Sequence, residues 1–155
     1  MSTKLEDLTP DTQARAVKAI ADLVARGIPY AVTYTLRTYA EQAALYAQGR
    51  QDLLTVNALR DAAGLPHIGQ ADNSYVVTQA SGKKITDGGT GRSPHQFGTA
   101  LDVVPINNVG NPIWPGASDP RWAQIAQSFK AQGFEWGGDW TDFQDLPHYQ
   151  LKSLA

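Results

Sequence analysis

The chain is expected to adopt an α+β fold, a small, mainly antiparallel sheet with helices packed on it. Two sets of signals predict it. Capped stretches of helical period stand at 9–27, 38–49 and 119–133. Short runs rich in β-formers stand at 30–36, 99–104, 134–136 and 148–151. No internal repeat, linker or low-complexity segment interrupts them, so residues 1–155 are read as a single domain without a separate module.

The first helix has Thr9 as N-cap, Pro10 at the first helical position and Gly27 beyond its end. Ala14, Val17, Ile20, Ala21, Val24 and Ala25 recur at helical spacing and predict its core face. A strand follows at 30–36. Thr38 and Glu41 form an S/T-x-x-E capping box that opens a second helix, which Gly49 closes. Residues 55–64 read as a short helix. The stretch 65–92 is loop-rich, with one strand expected at 75–79 and glycines at 82, 88, 89 and 91. Residues 99–104 read as a buried strand. Asp119 or Ser118 caps a further helix through Trp122, Ile125, Ala126 and Phe129 to Gly133. Residues 134–136 and 148–151 are short strands around a Gly/Asp/Trp-rich turn.

Composition narrows the function. With 42% hydrophobic and 18% charged residues, the 155-residue chain is an ordinary globular protein. A chain of that length buries ~70% of its unfolded surface, enough for a core without staples. A net charge of −2 with no basic stripe argues against a nucleic-acid partner. No run approaches the ~18 apolar residues of a membrane span. Residues 1–10 are polar and acidic, so no secretory signal is expected there. The absence of cysteine rules out disulfides and thiolate metal sites, which leaves His, Asp and Glu as metal ligands.

The chemistry concentrates in two segments. In Ser93-Pro-His-Gln-Phe-Gly-Thr-Ala-Leu-Asp102, a histidine precedes a glycine turn and an aspartate stands inside the apolar run 100–104. Alternation puts Asp102 on a face with Ala100 and Val104, where an uncompensated carboxylate is costly. A metal ion would compensate it; so would an arginine or backbone amides. The second segment is Asp145-Leu-Pro-His148, extended rather than helical because of Pro147. Together, His95, Asp102 and His148 make an open three-ligand zinc site. Bound zinc brings the pKa of water from ~15.7 to about 7, and a nearby carboxylate can take its proton. His67, Asp139 and Asp142 are read as ordinary surface groups. Gln42 and Tyr46 share a helix face; Tyr46 is read as packing, and Gln42 as reaching either Arg37 or a substrate. Trp122 is read as core, and Trp136 or Trp140 as a pocket wall.

Ser-x-His-x-x-Gly-x-Ala-x-Asp followed by Asp/Glu-x-x-His resembles the motif pair of the LAS-type zinc peptidases, which share a fold with Hedgehog-type domains. That family includes D-Ala-D-Ala carboxypeptidases and dipeptidases, and the L-alanyl-D-glutamate peptidases of phage endolysins. Ser93, His95, Gly98, Ala100 and Asp102 fill the first motif, and Asp145 and His148 the second. The segment from Leu36 to Arg50 is similar to the family's strand-to-helix element, whose arginine faces substrate.

The resemblance implies zinc on His95, Asp102 and His148, Asp145 as general base, Arg37 at the oxyanion or a substrate carbonyl, and Ser93 as a substrate contact. Asp at position 145 resembles the endolysin branch, and with it cleavage of the L-alanyl-D-glutamate bond of peptidoglycan. Arg37 and Arg92 would attract the anionic stem peptide. A carboxypeptidase on the same scaffold, or a zinc domain that only binds cell wall, are the alternatives. The protein is expected to be a monomer made in the host cytoplasm that acts on the wall after release.

Overall fold

In a computed structural model, which describes residues 1–74, 76, 94–142 and 144–152, four short strands form one antiparallel sheet in the order β1-β2-β4-β3. They are β1 (Ala31–Tyr34), β2 (Ala100–Val104), β3 (Phe134–Trp136) and β4 (His148–Leu151). Four helices accompany them: α1 (Pro10–Ala25), α2 (Tyr39–Ala47), α3 (Leu53–Ala62) and α4 (Pro120–Lys130). This is the α+β architecture expected. The strand expected at 75–79 and the glycines at 82–91 fall outside the described residues, Val76 excepted.

The chain divides into two compact units. One comprises Ser2–Leu36 and Phe97–Ala155 and contains the sheet, α1 and α4. Its core joins Leu101 and Val103 of β2, Phe134 and Tyr149 of the neighbouring strands, Ile125 and Phe129 of α4, and Ala16, Ala19 and Leu23 of α1. Phe129 stacks on Tyr149 with ring centroids 4.5 Å apart and meets the edge of Phe134 at 5.4 Å. Alternation along β2 turns Leu101 and Val103 into this core and leaves Asp102 on the other face, beside Ala100 and Val104. Both of those neighbours are fully buried, as expected of an apolar strand.

The caps of α1 are as expected. The Thr9 hydroxyl accepts from the Thr12 N–H, and Gly27 takes a positive φ of 69° past the C-terminus. The face is not. The buried stripe is Thr12, Ala16, Ala19 and Leu23, whereas Val17 and Val24 are exposed. Two apolar stripes compete on this helix, and contact outside it decides between them. The Thr9 N–H donates to the Gly98 carbonyl at 3.0 Å, and the Thr9 and Thr12 hydroxyls share a 2.7 Å bond, fixing the helix's start and rotation. Small Ala16 and Ala19 then allow close approach to α4.

The other unit, Arg37–Gln96 with Met1, is built on α2 and α3. Thr38 caps α2 by accepting from the Glu41 N–H, and Asp52 caps α3, which therefore begins two residues before the expected 55. Behind them the segment 65–74 is strapped down by polar side chains. Asn57 bonds both backbone groups of Ile68, Gln48 donates to the Asp72 carbonyl, and Asn73 accepts from the Gly49 N–H. Tyr46 is half-buried rather than core, with the Arg50 guanidinium 4.0 Å above its ring.

Tyr149 carries a buried hydroxyl with no hydrogen-bond partner among the described residues. Burial, reinforced by the charges of Asp102 and Asp139, pushes its phenol pKa far up, so it stays neutral. An unpaired buried hydroxyl costs on the order of 1–3 kcal/mol. Tyr149→Phe is therefore expected to leave thermal stability unchanged or raise Tm by a few degrees, read by calorimetry. A fall of more than about 3 °C, on the order of 1 kcal/mol for a domain of this size, would mean that the hydroxyl is bonded.

Candidate metal centre

The β2–β4 register places Asp102 directly opposite His148. Facing residues of an antiparallel pair project to the same side, so carboxylate and imidazole meet on the face away from the core. Asp102 Oδ1 lies 3.3 Å from His148 Nδ1, with both side chains largely buried. That distance is compatible with two donors of one metal ion. A direct charge-assisted hydrogen bond would be shorter, about 2.7–2.9 Å. Two ligands held about 2.0–2.1 Å from one tetrahedral zinc stand about 3.3 Å apart. Burial alone would lower the His148 pKa, but the Asp102 carboxylate, followed by Asp145 and the Gln150 amide, outweighs it and raises the value. The local field thus favours a cation.

Gly98 shows why the first motif needs a glycine. Its φ is +69°, and a Cβ there would come 3.1 Å from the Thr9 nitrogen. The left-handed turn releases the chain into β2 while holding it against the start of α1.

A second glycine seats Asp145. The Asp145 N–H donates to the Gly137 carbonyl at 2.9 Å, and a Cβ on Gly137 would fall 2.3 Å from the Asp145 carbonyl oxygen. The Asp145 carbonyl in turn accepts from the His148 N–H at 3.2 Å. The Trp136 indole N–H donates to the Leu146 carbonyl at 2.7 Å, and the Pro147 carbonyl accepts from Val103. The Asp-x-x-His segment is therefore pinned at successive residues; it is not helical, but Leu146 and Pro147 make a turn closed by the His148 N–H rather than the extended approach expected. Trp140 lies with its ring centroid 5.4 Å from that of His148, its N–H held by Glu135 Oε1 at 2.7 Å. Of the two tryptophans considered for a wall, Trp140 covers the imidazole and Trp136 packs against the core. Trp122 is core, as expected.

In the other unit, His95 is buried on a 3-10 turn, Pro94–Phe97, and its carbonyl accepts from the Arg37 N–H at 3.1 Å. The Arg37 guanidinium donates to Gln42 Oε1 at 2.9 Å. Gln42 is fully buried, and of its two expected contacts the one with Arg37 is present. Ser93 and Arg92 lie outside the described residues. His67 pairs with Asp61 on the surface, and Asp139 with Lys130, as ordinary exposed groups do.

Among the described residues, His95, Asp102 and His148 form the one group of histidine and carboxylate side chains that could hold a metal ion. Two imidazoles and a carboxylate are the donor set of an open zinc site. Trp140, Glu135 and Gln150, whose amide oxygen lies 2.8 Å from His148 Nε2, join this surroundings without having been singled out as ligands or bases. The i, i+2 spacing of His148 and Gln150 on a strand was the available signal.

Several known proteins are similar to this chain. Residues 86–151 match a family described as D-alanyl-D-alanine carboxypeptidase. The peptidoglycan L-alanyl-D-glutamate endopeptidase CwlK of Bacillus subtilis (strain 168) is 30% identical over 153 residues, covering 94% of this chain and 74% of CwlK. The L-alanyl-D-glutamate peptidase of Listeria phage A118 is 40% identical over 63 residues, covering 40% of this chain and 22% of the phage protein. The crystal structure of the Serratia marcescens L-Ala D-Glu endopeptidase ChiX matches with a TM-score of 0.52 at 26% identity, over 96% of this chain and 83% of that one. The similarity to CwlK spans nearly the whole chain and both motifs, and the chain belongs to the LAS-type zinc peptidase family.

Proposed function

We propose that this chain is a zinc-dependent peptidoglycan endopeptidase of the endolysin type, hydrolysing the L-alanyl-D-glutamate bond of the stem peptide. The 3.3 Å Asp102–His148 pair, with Asp145 pinned three residues before the histidine, carries the reading. Near-full-length similarity to CwlK supports the bond assignment. His95, Asp102 and His148 would hold the zinc, which when bound polarises the scissile carbonyl and acidifies water.

The remaining roles fall to the chain's own groups. Asp145 takes the proton of the attacking water and passes it to the leaving amine. Arg37 offers its guanidinium to the oxyanion developing on the scissile carbonyl. Gln42 acts on substrate through Arg37, whose orientation it fixes, and Ser93 contacts the substrate. Trp140 shields the imidazole from solvent. Residues 1–155 work as one catalytic domain, as a monomer, on the cell wall once released from the cytoplasm where the chain is made. No helix among the described residues is long and apolar enough to cross a membrane.

A carboxypeptidase is the second reading, favoured by the description of the family matching residues 86–151. Mass spectrometry of digested sacculi separates the two. New N-terminal D-Glu on stem peptides is expected; free D-Ala without it would move the cut to the other end of the stem.

Asp145→Asn tests the base. It removes the proton-accepting oxygen and keeps the size, so turnover should fall by at least ~10²-fold, the lower range for general-base catalysis. Zinc content, measured by elemental analysis, should stay near the wild-type level. Loss of zinc with unchanged activity per zinc would make Asp145 a ligand instead.

A further inference from the structure

The imidazole of His148 is held from both ends. Nδ1 faces Asp102 Oδ1 at 3.3 Å, and Nε2 faces Gln150 Oε1 at 2.8 Å. A neutral imidazole carries one N–H and one lone pair, so a partner on one nitrogen dictates the state of the other. An amide oxygen can only accept. A bond at 2.8 Å to that oxygen needs the proton on Nε2, so in the neutral ring the lone pair that a metal would take is the one on Nδ1, the nitrogen facing Asp102.

We infer that Gln150 is a positioning residue for the metal, fixing His148 in the tautomer and ring orientation that offer Nδ1 to zinc. The inference rests on the metal-site reading above and deepens it. Strand geometry supplies the arrangement. His148 and Gln150 stand two apart on β4 and share its site-facing side, while Ala100 is the cross-strand partner of Gln150. A methyl group at that position leaves the amide room to turn back along its own strand. Trp140 completes the frame. It packs on the His148 ring at 5.4 Å and is itself held through its N–H by Glu135, the β3 partner of Gln150. Rotation of the imidazole about its Cβ–Cγ bond would break the Gln150 bond and the Trp140 contact together. Outer partners of this kind typically contribute 10–100-fold in metal affinity.

The test uses the full chain and zinc itself. Competitive chelator titrations compare wild type, Gln150→Leu and Gln150→Glu, with circular dichroism melts as the control for folding. Leucine keeps bulk but cannot accept a hydrogen bond, so zinc affinity should fall ~10–100-fold. Glutamate accepts as well as glutamine and should restore affinity to within a few-fold of wild type. Long-range ¹H–¹⁵N spectra of the zinc-loaded wild-type protein should show His148 protonated at Nε2. This readout needs no variant to fold. Wild-type affinity in Gln150→Leu, or a proton on Nδ1 with zinc bound, would overturn the inference and leave the metal site standing. A wild-type chain that takes up no zinc would overturn both.

Discussion

The arrangement of the site depends on the register between β2 and β4. Because Asp102 pairs with His148, a carboxylate and an imidazole meet on one face of a strand whose other side chains, Ala100 and Val104, are fully buried. Side chains alternate with a period of two, so a slip of one residue would send Asp102 into the core against Phe129 and Tyr149 and turn Leu101 and Val103 out of it. The cost of burying an uncompensated carboxylate there is large enough to exclude that register. The same aspartate thus helps to specify the sheet and equips it for chemistry.

The remaining parts of this face are set by backbone bonds and by glycines where a Cβ could not fit. Gly98 brings the chain from the His95 segment into β2 against Thr9, and Gly137 lets the loop before β4 close onto the Asp145 carbonyl. The bond from Asp145 N–H to Gly137 and the one from Trp136 to Leu146 hold the segment of the proposed base through its main chain. Trp140 and Gln150 restrain the imidazole, whereas Arg37 is restrained by Gln42 and the His95 carbonyl.

Features governed by local chemistry were legible in the sequence. Thr9, Thr38 and Asp119 cap helices because the hydroxyl and carboxylate geometry works within four residues. The strand at 100–104 was legible from its apolar run, and Asp102 stood out because it interrupts that run. The face of α1 was not legible. Val17 and Val24 make the heavier apolar stripe, yet the bond from Thr9 to Gly98, distant in sequence, rotates Ala16, Ala19 and Leu23 inward. Nor were the partners of His148 legible, since which side chains surround an imidazole depends on strand register and on how a loop folds back. Gln42 lay between these cases. Its helical position suggested two partners, and its burial against Arg37 identifies one.

X-ray absorption at the zinc edge of the loaded protein tests the central claim most directly, because it reads the ligand set that this register assembles. One zinc per chain is expected, in a shell of four nitrogen and oxygen ligands at about 2.0–2.1 Å. The outer-shell scattering should correspond to two imidazoles. A six-coordinate, all-oxygen shell without imidazole scattering would contradict the account.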